Sequence, residues 1–335
     1  MMGMKRNAAV EFYRALLMFG ICLLHACGNT GAPSSVVLDN VLRQCMPGFV
    51  FITGWFGMRF SLRKLVGLYG IAAYAVVVDL CVAWLAWRQM PTVGMFVELF
   101  RNIWFLNAYA VLMLFSPLLN MAVEEIGQGC GAATSWKSRL RNVASSERMK
   151  VIWPLLGLTF VWIWLHQVSG IARLMPVLSG VSNFSGLMMI GVYLVGRIIR
   201  LCEVESRIGS GVLCCCFAVC LGLTSFGRGF QTYASPIALM SVASLFFLVK
   251  RLRFAHAIGE RISWIGPSLL TVYLLHARKD IGFRLMGDLK GWFVGLGCPD
   301  VCVWLAVACI VFSGGALAGP RRIFVSVARS SLKKS

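Results

Sequence analysis

Asn7-Ala-Ala-Val-Glu11-Phe-Tyr-Arg14-Ala-Leu-Leu-Met-Phe-Gly-Ile-Cys-Leu-Leu-His25-Ala-Cys27 is the stretch that decides the class of fold. Its body is apolar for close to 20 residues, the length that crosses a hydrocarbon core. Only Glu11, Arg14 and His25 interrupt it with charge or a near-neutral titration. Lys5 and Arg6 in front of it, and Leu24-His25-Ala26-Cys27-Gly28 at its end, imitate a cleavable lipoprotein leader. A leader's apolar region should not carry Glu11 and Arg14, and further apolar runs follow, so residues 8–27 read as a retained first helix.

The rest of the chain repeats this pattern. Of 335 residues, 59 % are apolar and only 13 % charged, about half the charge of an ordinary globular domain; mean hydropathy is +0.78. So few charges cannot cover a soluble surface. Apolar runs set against charge clusters and Pro/Gly breaks give about ten spans: 8–27, 44–58, 65–87, 102–123, 151–168, 184–199, 211–226, 235–249, 262–280 and 299–318. The second is short, and Val36 to Leu42 would lengthen it. Thr92–Arg101 is too short to span and reads as interfacial. The expectation is an all-α polytopic membrane protein.

Net charge is +19. With the N-terminus inside, 22 Lys and Arg fall on the cytoplasmic side and nine outside, with Arg14 inside the first span. That asymmetry predicts both termini in the cytoplasm and removes the need for a nucleic-acid partner. Residues 1–320 then form one membrane-embedded domain and 321–335 a short basic cytoplasmic tail. The longest polar stretch, Glu124 to Lys150, reads as a flexible cytoplasmic loop. No repeat of fixed period supports an inverted-repeat transporter. The 13 Cys lie mostly in apolar runs without a paired C-x-x-C framework, so they read as small hydrophobes and no metal site is expected. Cys298 and Cys302, near an outer edge, leave room for one disulfide.

Charge inside a span is expensive, which makes each such residue a functional candidate. Arg14 and His25 are eleven residues apart, a separation that returns to within about 20° of the same helix face and rises about 16 Å. Glu11 precedes Arg14 by one turn. The three form a stripe that should face the interior of the bundle. On spacing alone, a neutralised Glu11–Arg14 pair at the inner interface and a His25 in the outer headgroup zone fit equally well. Asp79, inside the third span, requires a partner. His276 and Asp280, four residues apart at the outer end of the ninth span, suit orienting an acceptor or relaying a proton, or simply pairing at the surface. His166 reads as interfacial and His256 as a solvated loop residue.

The stripe also resembles the first-helix signature of the acyltransferase-3 membrane O-acyltransferases, with an acidic residue three before an Arg and an R-x10-H spacing. Further resemblances follow in chain order. Pro47-Gly-Phe-Val-Phe-Ile-Thr-Gly54 with Arg59, Arg63 and Lys64 is similar to the second helix and its basic inner turn. Trp104-Phe-Leu-Asn107-Ala-Tyr109, leading to Ser116-Pro117-Leu-Leu-Asn120, is similar to the central helix. Ile262-Ser-Trp-Ile-Gly266, leading to Val272-Tyr273-Leu-Leu-His276, is similar to a late helix. The likeness covers residues 5 to about 320. One departure stands out: some members carry R-x-x-R after the second span, linked to acyl-CoA, whereas here the spacing is Arg59-x-x-x-Arg63-Lys64.

The resemblance implies a stand-alone enzyme of the bacterial cytoplasmic membrane, without the esterase-like domain fused to some relatives. It would move an acyl group, usually acetyl, from cytoplasmic acyl-CoA, a substrate rather than a resident cofactor, to a hydroxyl of an extracytoplasmic surface glycan or lipid-linked oligosaccharide. Within that chemistry His25 suits the general base, since imidazole accepts a proton near neutral pH. Arg14 suits either the developing oxyanion or the pantetheine-phosphate side of the donor, and its depth favours the latter or an orienting role. Glu11 would hold Arg14. Arg59, Arg63 and Lys64 suit the phosphates of CoA, or mark topology only. Trp104, Asn107, Tyr109 and His276 are the remaining substrate-site candidates. A transporter or flippase for a lipid-linked glycan is the competing class, and a glycan polymerase a weaker one because no large outer loop is present.

Overall fold

The computed structural model describes residues 7–27, 33–90, 92–96, 103–130, 185–203, 205, 208–226, 235–277 and 281–319. Among these residues there is no strand. Twelve helices are named here in chain order: α1 (Ala8–Cys27), α2 (Pro33–Leu42), α3 (Cys45–Phe56), α4 (Leu62–Trp87), α5 (Trp104–Cys130), α6 (Ser185–Leu201), α7 (Ser210–Phe226), α8 (Pro236–Lys250), α9 (His256–Ile265), α10 (Leu269–His276), α11 (Gly282–Gly295) and α12 (Asp300–Leu317). Four helical stretches are long and apolar enough to cross a membrane: Ala8–Cys27, Leu62–Trp87, Phe105–Glu124 and Asp300–Leu317. Helix is the expected answer, because a span in lipid must satisfy its own backbone polar groups. The expected span at 151–168, with His166, lies outside the described residues, as do Asp280 and the tail after 319.

Local chemistry sets several helix ends. The Asn7 side-chain oxygen accepts from the backbone N–H groups of Ala9 (3.0 Å) and Val10 (3.4 Å), capping α1. Gly57, with φ of +74°, ends α3 in a conformation that L side chains resist. Pro117 inside α5 cannot donate to the carbonyl of Met113, and the Ser116 hydroxyl donates to that carbonyl instead at 2.8 Å.

Two expectations from the sequence need correction. The ninth span is not continuous: α9 and α10 are separated by a 3-10 turn at Gly266–Ser268, because Pro267 has no N–H to continue the ladder. Between the expected ninth and tenth spans lies α11, 14 residues of amphipathic sequence that bury Gly282 and Met286. The segment at 36–42 also forms a helix of its own, α2, rather than lengthening the second span. Cys298 and Cys302 are both free thiols.

The chain divides into two compact units. The first comprises the described residues of 1–42, 62–104 and 249–335. Here α1 packs against α12, α9, α10 and α2, and α10 packs against both α12 and α4. Phe19 meets Phe312 edge-on at 6.0 Å, and Phe12 meets Phe254 at 5.3 Å. The approach of α10 to α12 is close at Gly315, where a Cβ would come 2.8 Å from the Val272 Cα. The Tyr74 hydroxyl donates to the Ala318 carbonyl at 2.9 Å, tying α4 to the end of α12.

The second unit comprises the described residues of 43–61 and 105–248. Its centre is the α3–α6 pair, which touches backbone to backbone: a Cβ on Gly196 would lie 2.6 Å from the Phe51 carbonyl oxygen, and one on Gly54 would strike the Tyr193 carbonyl. Small residues permit this approach where lipid offers no hydrophobic drive to association. Phe51 and Trp55 are buried against Phe246 and Phe247 of α8, with edge-on ring contacts of 5.2 to 6.3 Å. The Gln44 amide donates to the Thr224 hydroxyl at 2.7 Å, joining the start of α3 to α7.

Candidate active site

The stripe on α1 is built by a capped, uninterrupted helix, so the spacing of Glu11, Arg14 and His25 translates directly into a shared face. Glu11 is buried, and Arg14 donates to its Oε1 from Nη1 at 2.9 Å. Arg14 keeps 34 % of its side chain exposed. His25, eleven residues along the same helix, is half-buried, and its Nδ1 is buried with no hydrogen-bond partner.

What closes around His25 comes from distant sequence. The His276 ring of α10 lies 5.0 Å from it, centroid to centroid, at 43°. On a second side the Phe283 ring of α11 meets His25 edge-on, also at 5.0 Å. Tyr273 stands edge-on to His276 at 6.1 Å. His276 is fully buried, and its Nδ1 lies 2.6 Å from the Val272 carbonyl oxygen. A carbonyl only accepts, so Nδ1 carries the proton. In the neutral ring Nε2 is then the lone-pair nitrogen, and it is buried without a partner. Two imidazoles thus meet, each with an uncommitted nitrogen. The start of α11 lies close against the end of α10: a Cβ on Gly282 would strike the His276 carbonyl, so only glycine fits there.

Helix α11 is further fixed from α4. The Trp87 indole N–H donates to Asp288 at 2.9 Å, and the Arg284 guanidinium sits over the Trp87 ring at 4.5 Å. On the same helix, burial pushes the Lys290 ammonium below the usual lysine range, with Cys27 opposing the shift. Lys290 is therefore near the end of α1.

The other expected residues sit elsewhere. Arg63 and Lys64 are exposed in the first turn of α4, and Arg59 is exposed just after α3, in the second unit. Asn107 and Tyr109 are half-buried on α5, also in the second unit, with Tyr109 stacked on Phe105 at 6.2 Å; Trp104 begins the helix. Asp79 is buried in α4. His256 is exposed and faces Glu260 at 3.6 Å, as a solvated residue would. Among the described residues no three His, Cys, Asp or Glu side chains gather as a metal site requires.

Sequence reasoning missed Phe283 and Tyr273 as partners of the histidines. The apolar positions Phe283 and Met286, one turn apart on α11, were the available signal that 282–295 forms a helix.

The site therefore joins half-buried His25 to buried His276, with the Arg14–Glu11 pair on the same helix, Arg14 eleven residues before His25. A family model described as an acyltransferase domain matches residues 7–319. With nearly the whole chain matched, the protein belongs to the acyltransferase-3 family and is a membrane acyltransferase. Neither the curated proteins nor the solved structures contain a match.

Proposed function

We propose that this acyltransferase moves an acetyl group from cytoplasmic acetyl-CoA to a hydroxyl of an extracytoplasmic surface carbohydrate, in a bacterial cytoplasmic membrane, with His25 as general base. The observation that carries the reading is the His25–His276 contact, in which each ring keeps a nitrogen free of protein partners. An alcohol attacks a thioester poorly unless its proton leaves as the bond forms. The acceptor oxygen bonds to the acyl carbon while its proton passes to the imidazole of His25. The tetrahedral adduct then collapses, the carbon–sulfur bond breaks, and the CoA thiolate leaves and takes up a proton. The aromatic edges of Phe283 and Tyr273 exclude water that would otherwise compete with the sugar hydroxyl.

Arg14 lies about 16 Å along α1 from His25, too far to serve the same atom. Its role is to hold the donor, with Glu11 fixing the guanidinium. In this reading Arg59, Arg63 and Lys64 attract the nucleotide end of CoA, and Trp104, Asn107 and Tyr109 are the remaining candidates for contact with substrate.

Mass spectrometry of surface glycans from cells with and without the protein tests the reading. Loss of acetyl esters, restored by the wild-type chain and not by His25→Ala, is expected. Intact esters with altered amounts of exported glycan would instead identify a transporter.

A further inference from the structure

Arg197 of α6 has no hydrogen-bonded acceptor among the described residues. Its guanidinium rests against the turn at Gly57, where a Cβ would lie 2.8 Å from Nη1 and 3.3 Å from Cζ. Its Nε is buried and donates to nothing. Among the described residues the carboxylate that approaches, Glu124, stays 3.8 Å from Nη2 on a side chain that is 66 % exposed. Guanidinium carries five N–H donors, and proteins seldom bury such donors without acceptors unless a ligand supplies them.

The turn against which Arg197 rests is fixed. The Tyr193 hydroxyl accepts from the Met58 N–H at 3.0 Å and donates to Asn120 Oδ1 at 2.6 Å. The Asn120 amide donates in turn to the Met58 carbonyl at 2.6 Å. Tyr193 and Arg197 are one turn apart on α6, as Asn120 and Glu124 are on α5. The ring of hydrogen bonds therefore holds Gly57–Met58 beside the guanidinium. Two more arginines belong to the same elements: Arg200, exposed one turn along α6, with its guanidinium 5.0 Å from the Trp55 ring centroid, and Arg59, exposed just past Met58. Glu203 and Glu205 lie beyond the end of α6.

We infer that Arg197 is a phosphate-binding residue, with Arg200 and Arg59 as flanking charges, and that the phosphate belongs to the CoA donor. This rests on the acyl-CoA reading above. Arginine's planar fork matches phosphate oxygens in pairs, and a guanidinium left 17 % exposed and otherwise unmet is preorganised for such a ligand. Glu124 is a loose counter-ion that the phosphate displaces.

Calorimetric titration of the purified full chain in neutral detergent, with CoA and separately with phosphatidylglycerol micelles, tests this. Arg197→Gln should weaken CoA binding about tenfold or more, as loss of a charge-assisted contact does, with Arg197→Lys intermediate. Glu124→Gln, which removes the competing anion, should bind CoA about threefold more tightly. Unchanged CoA affinity in a folded Arg197→Gln protein overturns the inference. So does a loss confined to phosphatidylglycerol, which would assign the site to a lipid headgroup. Should Arg197→Gln fail to fold, Glu124→Gln decides, and equal or weaker CoA binding overturns it. A wild-type chain that binds no CoA refutes the acyl-CoA reading itself.

Discussion

His25 and His276 meet at 5.0 Å between ring centroids, and the Nδ1–H of His276 is committed to the Val272 carbonyl one turn below it. That bond selects the tautomer: the second histidine offers a lone pair at Nε2 rather than a proton. The pair therefore has an internal order, with one ring anchored to backbone and the other held by packing.

Replacing His25 with Ala should abolish acetyl transfer, since a positioned general base contributes about 10²- to 10⁴-fold. The protein should remain inserted and monodisperse in detergent. Transfer from acetyl-CoA to a glycan acceptor, measured with the purified chain, checks it; near-normal turnover would remove His25 from the chemistry.

His276→Asn keeps an amide N–H near the position of Nδ1 but has nothing at Nε2. We expect the variant to fold and to lose at least about tenfold in kcat, with little change in KM for acetyl-CoA. An equal rise in KM with unchanged kcat would place His276 in binding instead.

Arg14→Lys should also be impaired by about tenfold or more, because lysine keeps the charge and loses the planar fork. Glu11→Gln should lower stability by about 1 kcal/mol, a charge-assisted hydrogen bond discounted for the exposure of Arg14. Thermal unfolding in detergent separates the two outcomes.

Neutralising Arg59, Arg63 and Lys64 together should raise KM for acetyl-CoA by about tenfold, since exposed charges contribute about 0.5 kcal/mol each. Added salt should shrink the difference between wild type and the triple variant. If KM does not move while expression and topology hold, the cluster serves orientation in the membrane only.

Gly196→Leu should lower the unfolding temperature sharply, because its side chain would enter the backbone of α3 at Phe51 and Trp55. Overpacking of this kind costs about 1–3 kcal/mol or more. Gly222→Ala is the matched control: nothing lies within 4 Å of the added Cβ, and alanine favours helix, so stability should hold or rise.

The amino-acid sequence by itself determined what depends on neighbours along the chain. Twenty apolar residues without a break must be helical in lipid, and a carboxylate three residues before an arginine must meet it on one face. The helix at 8–27 and the Glu11–Arg14 pair were legible for that reason. Order of motifs also revealed the family, since four short patterns in sequence are a property of the chain alone. Local spacing could not reveal that His276 rather than solvent faces His25, that Phe283 reaches it from α11, or that Arg197 rests on Gly57. Those contacts join residues far apart in sequence, and they exist only because glycines let helices approach at backbone distance and Pro267 breaks one span in two. Tertiary packing decided them, because which faces meet depends on the fit of whole helices and not on the pattern of any one.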